Sequence, residues 1–101
     1  MGQLEHYICR CGYDSGTLYT GSGFLVTREL RVCADCASLV DVPTEVREHG
    51  GTPAPDIELD VCPRCGSRNT ACPDKVGKAH TSVACPRCRE PTERTLGGLW
   101  D

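Results

Sequence analysis

Nine cysteines in 101 residues are the side chains of this sequence whose type and spacing carry chemistry. Eight of them fall in close pairs: Cys9 with Cys11, Cys33 with Cys36, Cys62 with Cys65, and Cys85 with Cys88. Cys72 stands apart. Three pairs have two residues between the sulfurs, a spacing that lets the chain wrap a metal ion while backbone N–H groups point at the thiolates. Eight thiolates fill two closed tetrahedra, so the sequence predicts two Zn²⁺. Read in chain order, Cys9, Cys11, Cys33 and Cys36 hold the first ion, and Cys62, Cys65, Cys85 and Cys88 the second. Cys9-Arg10-Cys11 is one residue short of the usual spacing, which leaves His6 open as a replacement for Cys9 or Cys11. A fifth sulfur has no place in a closed tetrahedron. Cys72, without a partner two or three positions away, is therefore expected to lie outside both sites.

The alternative use of so many cysteines is a disulfide framework. The sequence opens without a basic segment followed by an apolar core, and no run approaches the length of a membrane span. The expected compartment is the reducing cytoplasm, where closely spaced pairs act as metal ligands. An odd cysteine count points the same way. Only 39% of the chain is hydrophobic, with five aromatic residues. That is too little for two apolar cores, and very small units depend on metal for folding. With the thiolates and both ions counted, the formal charge moves from −3 to about −7. Such a balance disfavours indiscriminate binding to nucleic acid.

Cys62-Pro63-Arg64-Cys65-Gly66 and Cys85-Pro86-Arg87-Cys88 resemble the cysteine knuckles of the zinc-ribbon superfamily, in which a Cys-Pro-x-Cys-Gly turn, a hairpin and a second such turn enclose the metal. Cys11-Gly12-Tyr13 looks like part of a rubredoxin knuckle. The resemblance implies a rubredoxin-like fold and says little about function, because the superfamily spans transcription machinery, ribosomal proteins and small adaptors. It also makes iron the competing metal, since a tetrahedral tetrathiolate suits either ion. The first half departs from the pattern in its short pair and in lacking a glycine after Cys36.

The elements that must position these sulfurs read as short strands with almost no helix. Between Cys11 and Cys33 lie 21 residues, between Cys65 and Cys85 19, and between Cys36 and Cys62 25. These spans suggest a duplicated unit: an N-terminal ribbon over 1–42, a linker over 43–56 and a C-terminal ribbon with an apolar tail over 57–101. Thr17–Thr20 and Phe24–Thr27 flank Gly21-Ser22-Gly23, which predicts a hairpin turned on those three residues. Leu30, Val32, Leu39, Val40 and Val42 continue the strand pattern. In the linker, Thr44–Glu48 favours one helical turn, and His49-Gly50-Gly51 through Pro55 reads as turn and linker. Ile57, Leu59 and Val61 alternate with acidic residues as in a strand, and a shorter strand is expected between His80 and Ala84. The fold expected is mostly β, with two tandem metal-stabilised ribbons.

No nucleophile with its base, open metal position or cofactor loop is evident, so a non-enzymatic interaction module with a protein partner is the expected function. The alternative is nucleic-acid binding through Arg64, Arg68, Lys75, Lys78, Arg87 and Arg89, which give residues 61–89 a local charge of +5 against Asp74 alone. Arg64, Arg87 and Arg89 also flank the metal ligands, where they would offset thiolate charge. Rubredoxin-like electron transfer is the third reading. Tyr19, Phe24 and Leu25 are expected to pack inward. The tail ending in Trp100 is expected to fold back over a ribbon.

Overall fold

The computed structural model describes residues 2–100, and the chain it shows is mostly β. Four long strands, β1 (Gly2–Ile8), β2 (Asp14–Ser22), β3 (Val26–Cys33) and β4 (Ser38–Val46), follow one another as two antiparallel hairpins. Short strands β5 (Thr70–Ala71), β6 (Lys75–Val76) and β7 (Ser82–Val83) and a long final strand β8 (Glu93–Trp100) complete the set. The only helical segment among the described residues is a 3₁₀ turn at Lys78–His80. The main sheet runs β4-β3-β2-β1-β8, with β5 beside β3, while β6 and β7 pair separately. None of the described helices is long and apolar enough to cross a membrane.

The junction between the hairpins decides the architecture. β2 and β3 pair only at Gly21↔Arg28 and Ser22↔Thr27. Beyond that link the hairpins part and fold against each other: the Tyr19 N–H donates to the Asp41 carboxylate at 2.7 Å, and the Leu39 N–H to the Tyr13 hydroxyl at 2.7 Å. Tyr7 and Leu18 from one hairpin meet Leu39, Leu30 and Val32 from the other in the core, joined by Tyr13, Val83, Cys9 and Cys85. A second cluster gathers Val40, Val42, Cys33 and Cys62. Burying each such aliphatic side chain contributes about 1.5–3 kcal/mol.

Several local expectations are corrected. β2 runs through Gly21 and Ser22, so the turn falls on Gly23–Leu25 and is closed by the Gly23 N–H on the Val26 carbonyl at 2.9 Å. Phe24 thus sits at an exposed turn, stacked on His49 with ring centroids 4.6 Å apart, and Tyr19 is exposed as well. Thr44–Val46 belong to β4 instead of a helical turn, because pairing of Glu45 with Thr27 and Val46 with Val26 overrides local preference. Pro43 is tolerated where the register slips between Thr27 and Arg28, since no ladder donor is needed there. The Ile57–Val61 alternation forms no strand. Asp60 adopts a left-handed conformation that breaks the extended run, and its N–H binds the Pro43 carbonyl at 2.8 Å. Gly50 and Gly51, both at positive φ, form the expected tight turn between His49 and Thr52.

The tail does fold back, as β8, pairing along β1 from Gly2↔Trp100 to Ile8↔Glu93. The Trp100 indole N–H reaches the carbonyls of Gln3 at 3.1 Å and Thr20 at 3.0 Å. Gly2 permits this approach: a Cβ there would lie 2.2 Å from the indole nitrogen. Gly2→Ala is therefore expected to eject the ring and destabilise the chain by about 1–3 kcal/mol. With one tryptophan in the sequence, a red shift of its emission together with a lowered denaturation midpoint checks this directly. The sheet takes strands from both halves of the chain, and β4 itself runs on to Val46, inside the expected linker over 43–56.

Candidate metal centres

The turn joining β1 to β2 carries Cys9 and Cys11, and the turn joining β3 to β4 begins at Cys33 and includes Cys36. Both turns lie at the end of the hairpins remote from their Gly21–Arg28 link. The segment between β4 and β5 supplies Cys62 and Cys65, and that between β7 and β8 supplies Cys85 and Cys88. The sulfurs gather in two groups, Cys9, Cys11, Cys85 and Cys88 in centre 1 and Cys33, Cys36, Cys62 and Cys65 in centre 2, with the ligand atoms of each within 4.8 Å of one another. The chain-order partition is thus replaced by a nested one, first pair with fourth and second with third. The reason is the parting of β2 from β3. The hairpin turns bearing the first two pairs separate, and each is met by a knuckle from the second half.

The geometry fits a metal. Sulfur separations are 3.4 Å for Cys9–Cys88, 3.7 Å for Cys11–Cys85, 3.6 Å for Cys33–Cys65 and 3.8 Å for Cys36–Cys62. A tetrahedron with metal–sulfur bonds of about 2.3 Å has edges of about 3.8 Å. A disulfide would need about 2.05 Å. Backbone N–H groups of Arg64 and Arg87 point at the Cys62 and Cys85 sulfurs, each at 3.4 Å. Cys9, Cys33, Cys62 and Cys85 are buried, while Cys11 and Cys65 face solvent and Cys36 and Cys88 are part-buried. Each centre is therefore anchored on two interior sulfurs.

One backbone device recurs at three of the four pairs. In the knuckle at Cys62, the Gly66 N–H binds the Cys62 carbonyl and the Cys62 N–H binds the Ser67 carbonyl, both at 2.8 Å. At Cys85 the same bonds come from Arg89 and to Glu90, at 3.0 and 2.8 Å. The short pair closes the same turn one residue tighter, with Gly12 N–H to the Cys9 carbonyl at 3.0 Å and Cys9 N–H to the Tyr13 carbonyl at 2.9 Å. His6 lies outside both sulfur groups and bonds to Asp14. The residue after each second cysteine has positive φ: Gly12, Ala37, Gly66 and Arg89. Only two are glycine, and a side chain in this conformation costs roughly 1–2 kcal/mol. Ala37→Gly and Arg89→Gly are each expected to raise stability by about 0.5–1 kcal/mol, read as a higher denaturation midpoint of the metal-loaded chain.

The sulfurs resist ionising together. The Cys33 thiol is opposed by burial, but the Cys36 N–H, the Cys65 sulfur and the Asp35 N–H outweigh this and hold it at about 7. Cys85 is likewise opposed by burial and held at about 7 by the N–H groups of Cys88 and Arg87 and by neighbouring sulfurs. The Ser67 N–H lowers Cys65, yet burial and the surrounding sulfurs push it to about 12. Cys88 reaches about 12 despite the Glu90 N–H, through the Cys9 sulfur, burial and the other two sulfurs. A central divalent cation would supply the charge that lets four thiolates coexist, and its loading would expel protons. Metal affinity therefore falls as pH falls. The fall steepens below about 7, where Cys33 and Cys85 must also be deprotonated. Chelator competition between pH 8 and pH 6 measures it.

The basic side chains are largely engaged. Arg68 pairs with Glu58 at 2.6 Å and Arg89 lies 3.9 Å from Asp74. Arg87 covers the Tyr13 ring at 5.4 Å, and Arg64 approaches the Ser38 hydroxyl at 3.5 Å. Lys75 and Lys78 stand exposed on β6 and the 3₁₀ turn. Cys72 is exposed beside a cleft of about 350 Å³ and belongs to neither sulfur group. Sequence reasoning missed the role of Tyr13, whose ring is buried beside Cys9 and Cys85.

Comparison of the chain with known protein families, curated proteins and solved structures finds no match in any of the three.

Proposed function

We propose that this chain is a non-enzymatic zinc-binding interaction module, in which two structural Zn²⁺ ions fix a small β scaffold that presents an apolar surface to a protein partner. The observation carrying this reading is the closure of both centres: four sulfurs at tetrahedral spacing leave no coordination position for a substrate. Zinc is favoured over iron because the sites serve as cross-links, a role that needs no electron transfer. Tyr19, Phe24, Leu96 and Leu99 are about half exposed or more. Leu96 and Leu99 lie on β8, at the edge of the sheet, where exposed apolar side chains suit a contact with another protein.

The test is tagged purification from the native host, with and without nuclease, alongside elemental analysis. Two zinc ions per chain and a stoichiometric protein that survives nuclease, but is lost from a Leu96→Ser, Leu99→Ser double variant, support the module. Recovery that disappears with nuclease favours the nucleic-acid reading. Iron as the dominant metal with reversible redox change favours electron transfer.

A further inference from the structure

Tyr13 packs beside centre 1 and is hydrogen-bonded to the strand that leaves centre 2. Tyr13, two residues beyond Cys11, is 3% exposed, and its hydroxyl accepts the Leu39 N–H at 2.7 Å. Leu39 directly follows Ser38, which pairs with Cys33 across the β3–β4 turn and donates to the Cys36 carbonyl at 3.1 Å. Arg64, inside the third knuckle, reaches the same Ser38 hydroxyl, while Arg87, inside the fourth, lies over the Tyr13 ring. Tyr13, Leu39, Cys9 and Cys85 pack in one cluster. Side chains or backbone next to all four cysteine pairs thus converge on Tyr13 and its dock at Ser38–Leu39.

We propose that Tyr13 is a positioning residue that couples the two centres, so that filling either raises the metal affinity of the other, with centre 2 filling first. The inference rests on reading both sulfur groups as metal sites. The order follows from chain length. Centre 2 closes on 25 residues between Cys36 and Cys62, whereas centre 1 alone must close on 73 between Cys11 and Cys85. Loop entropy favours the shorter closure about fivefold. Once centre 2 is closed, the path from Cys11 to Cys85 runs through residues 12–32 and 66–84 and the filled knuckles, roughly 45 residues. Nesting alone then helps centre 1 about twofold. Tyr13 supplies the rest: a filled centre 2 fixes the Leu39 N–H that donates to the Tyr13 hydroxyl, and this sets the Cys9–Cys11 turn and, through Arg87, the Cys85–Cys88 knuckle. Coupling between sites is reciprocal, and values of about 5- to 150-fold are usual.

The experiment uses Cd²⁺ as the probe, under reducing conditions, in competition with a chromophoric chelator. Each single-site constant comes from a full-length variant, Cys62→Ser with Cys65→Ser for centre 1 and Cys85→Ser with Cys88→Ser for centre 2. The overall two-cadmium constant of the wild type is expected to exceed their product at least tenfold. In a Tyr13→Ala background the ratio drops to about twofold, the nesting contribution. Tyr13→Phe, which keeps the ring under Arg87 and loses the Leu39 bond, gives an intermediate ratio. A single-site variant that is unfolded before loading still yields a valid constant, because every constant is referred to the same metal-free chain. A wild-type ratio of twofold or less, or an unchanged ratio in Tyr13→Ala, overturns the proposal. Two cadmium ions per wild-type chain with no coupling sinks this inference alone, whereas fewer than two sinks the metal reading beneath it.

Discussion

Stripping the metals with a strong chelator is expected to unfold the whole chain rather than loosen one half. The six largest fully buried side chains are Leu39, Val40, Val42, Cys33, Cys62 and Cys85. Half of that interior is therefore sulfur ligand. Together with Tyr7, Tyr13, Leu18 and Val83, the three aliphatic side chains contribute about 1.5–3 kcal/mol each, which cannot offset a backbone ordering cost of roughly 1–2 kcal/mol per residue across the chain. Apparent binding energies of structural zinc run to about 10–16 kcal/mol per site, as large as the entire stability of an ordinary domain. Nesting makes the loss global, because centre 1 ties the β1–β2 turn to the segment entering β8 and centre 2 ties the β3–β4 turn to the segment leaving β4. The measurement is circular dichroism with Trp100 emission, during chelation and again after zinc is restored under reducing conditions. A β spectrum that persists without metal contradicts the expectation.

What the sequence made legible follows from how local each feature is. A Cys-Pro-Arg-Cys turn is fixed by six or so consecutive residues, so the knuckles at Cys62 and Cys85 are readable from spacing alone, and so is the mostly β character carried by Val, Thr, Leu and Tyr alternation. Which knuckles meet is a different matter. It depends on β2 and β3 touching only at Gly21–Ser22 and Thr27–Arg28, and on β8 returning to β1 so that Gly2 faces Trp100. Spacing reports the length of a loop, not the place where its ends arrive. Phe24 illustrates the same limit at short range: its strand propensity is real, but Gly23 closes the turn better than Gly21, which is already paired with Gly2 and Arg28. Ile57–Val61 shows the converse, an alternating pattern that finds no strand to pair with.

Loss of one ligand pair is expected to expose sulfurs from the far end of the sequence. In a Cys9→Ser, Cys11→Ser variant held in excess zinc, centre 1 is gone, so Cys85 and Cys88 become free thiols and react with an alkylating agent as readily as the exposed Cys72. Cys33, Cys36, Cys62 and Cys65 stay protected, because their four sulfurs remain around one ion and a metal-bound thiolate reacts slowly. A chain-order arrangement predicts the opposite pattern, with Cys33 and Cys36 labelled and Cys85 and Cys88 protected. Peptide mass analysis after brief labelling distinguishes the two by position, and the contrast should reach tenfold or more in labelling rate, since each ligand group is either intact or open. Coupling through Tyr13 weakens centre 2 in this variant, but excess zinc keeps it filled. Elemental analysis of the same sample should give one zinc, and Cys72→Ser alone should leave two. Labelling at Cys33 and Cys36 with protection at Cys85 and Cys88 would remove the nested arrangement, and the coupling built on it would fall too.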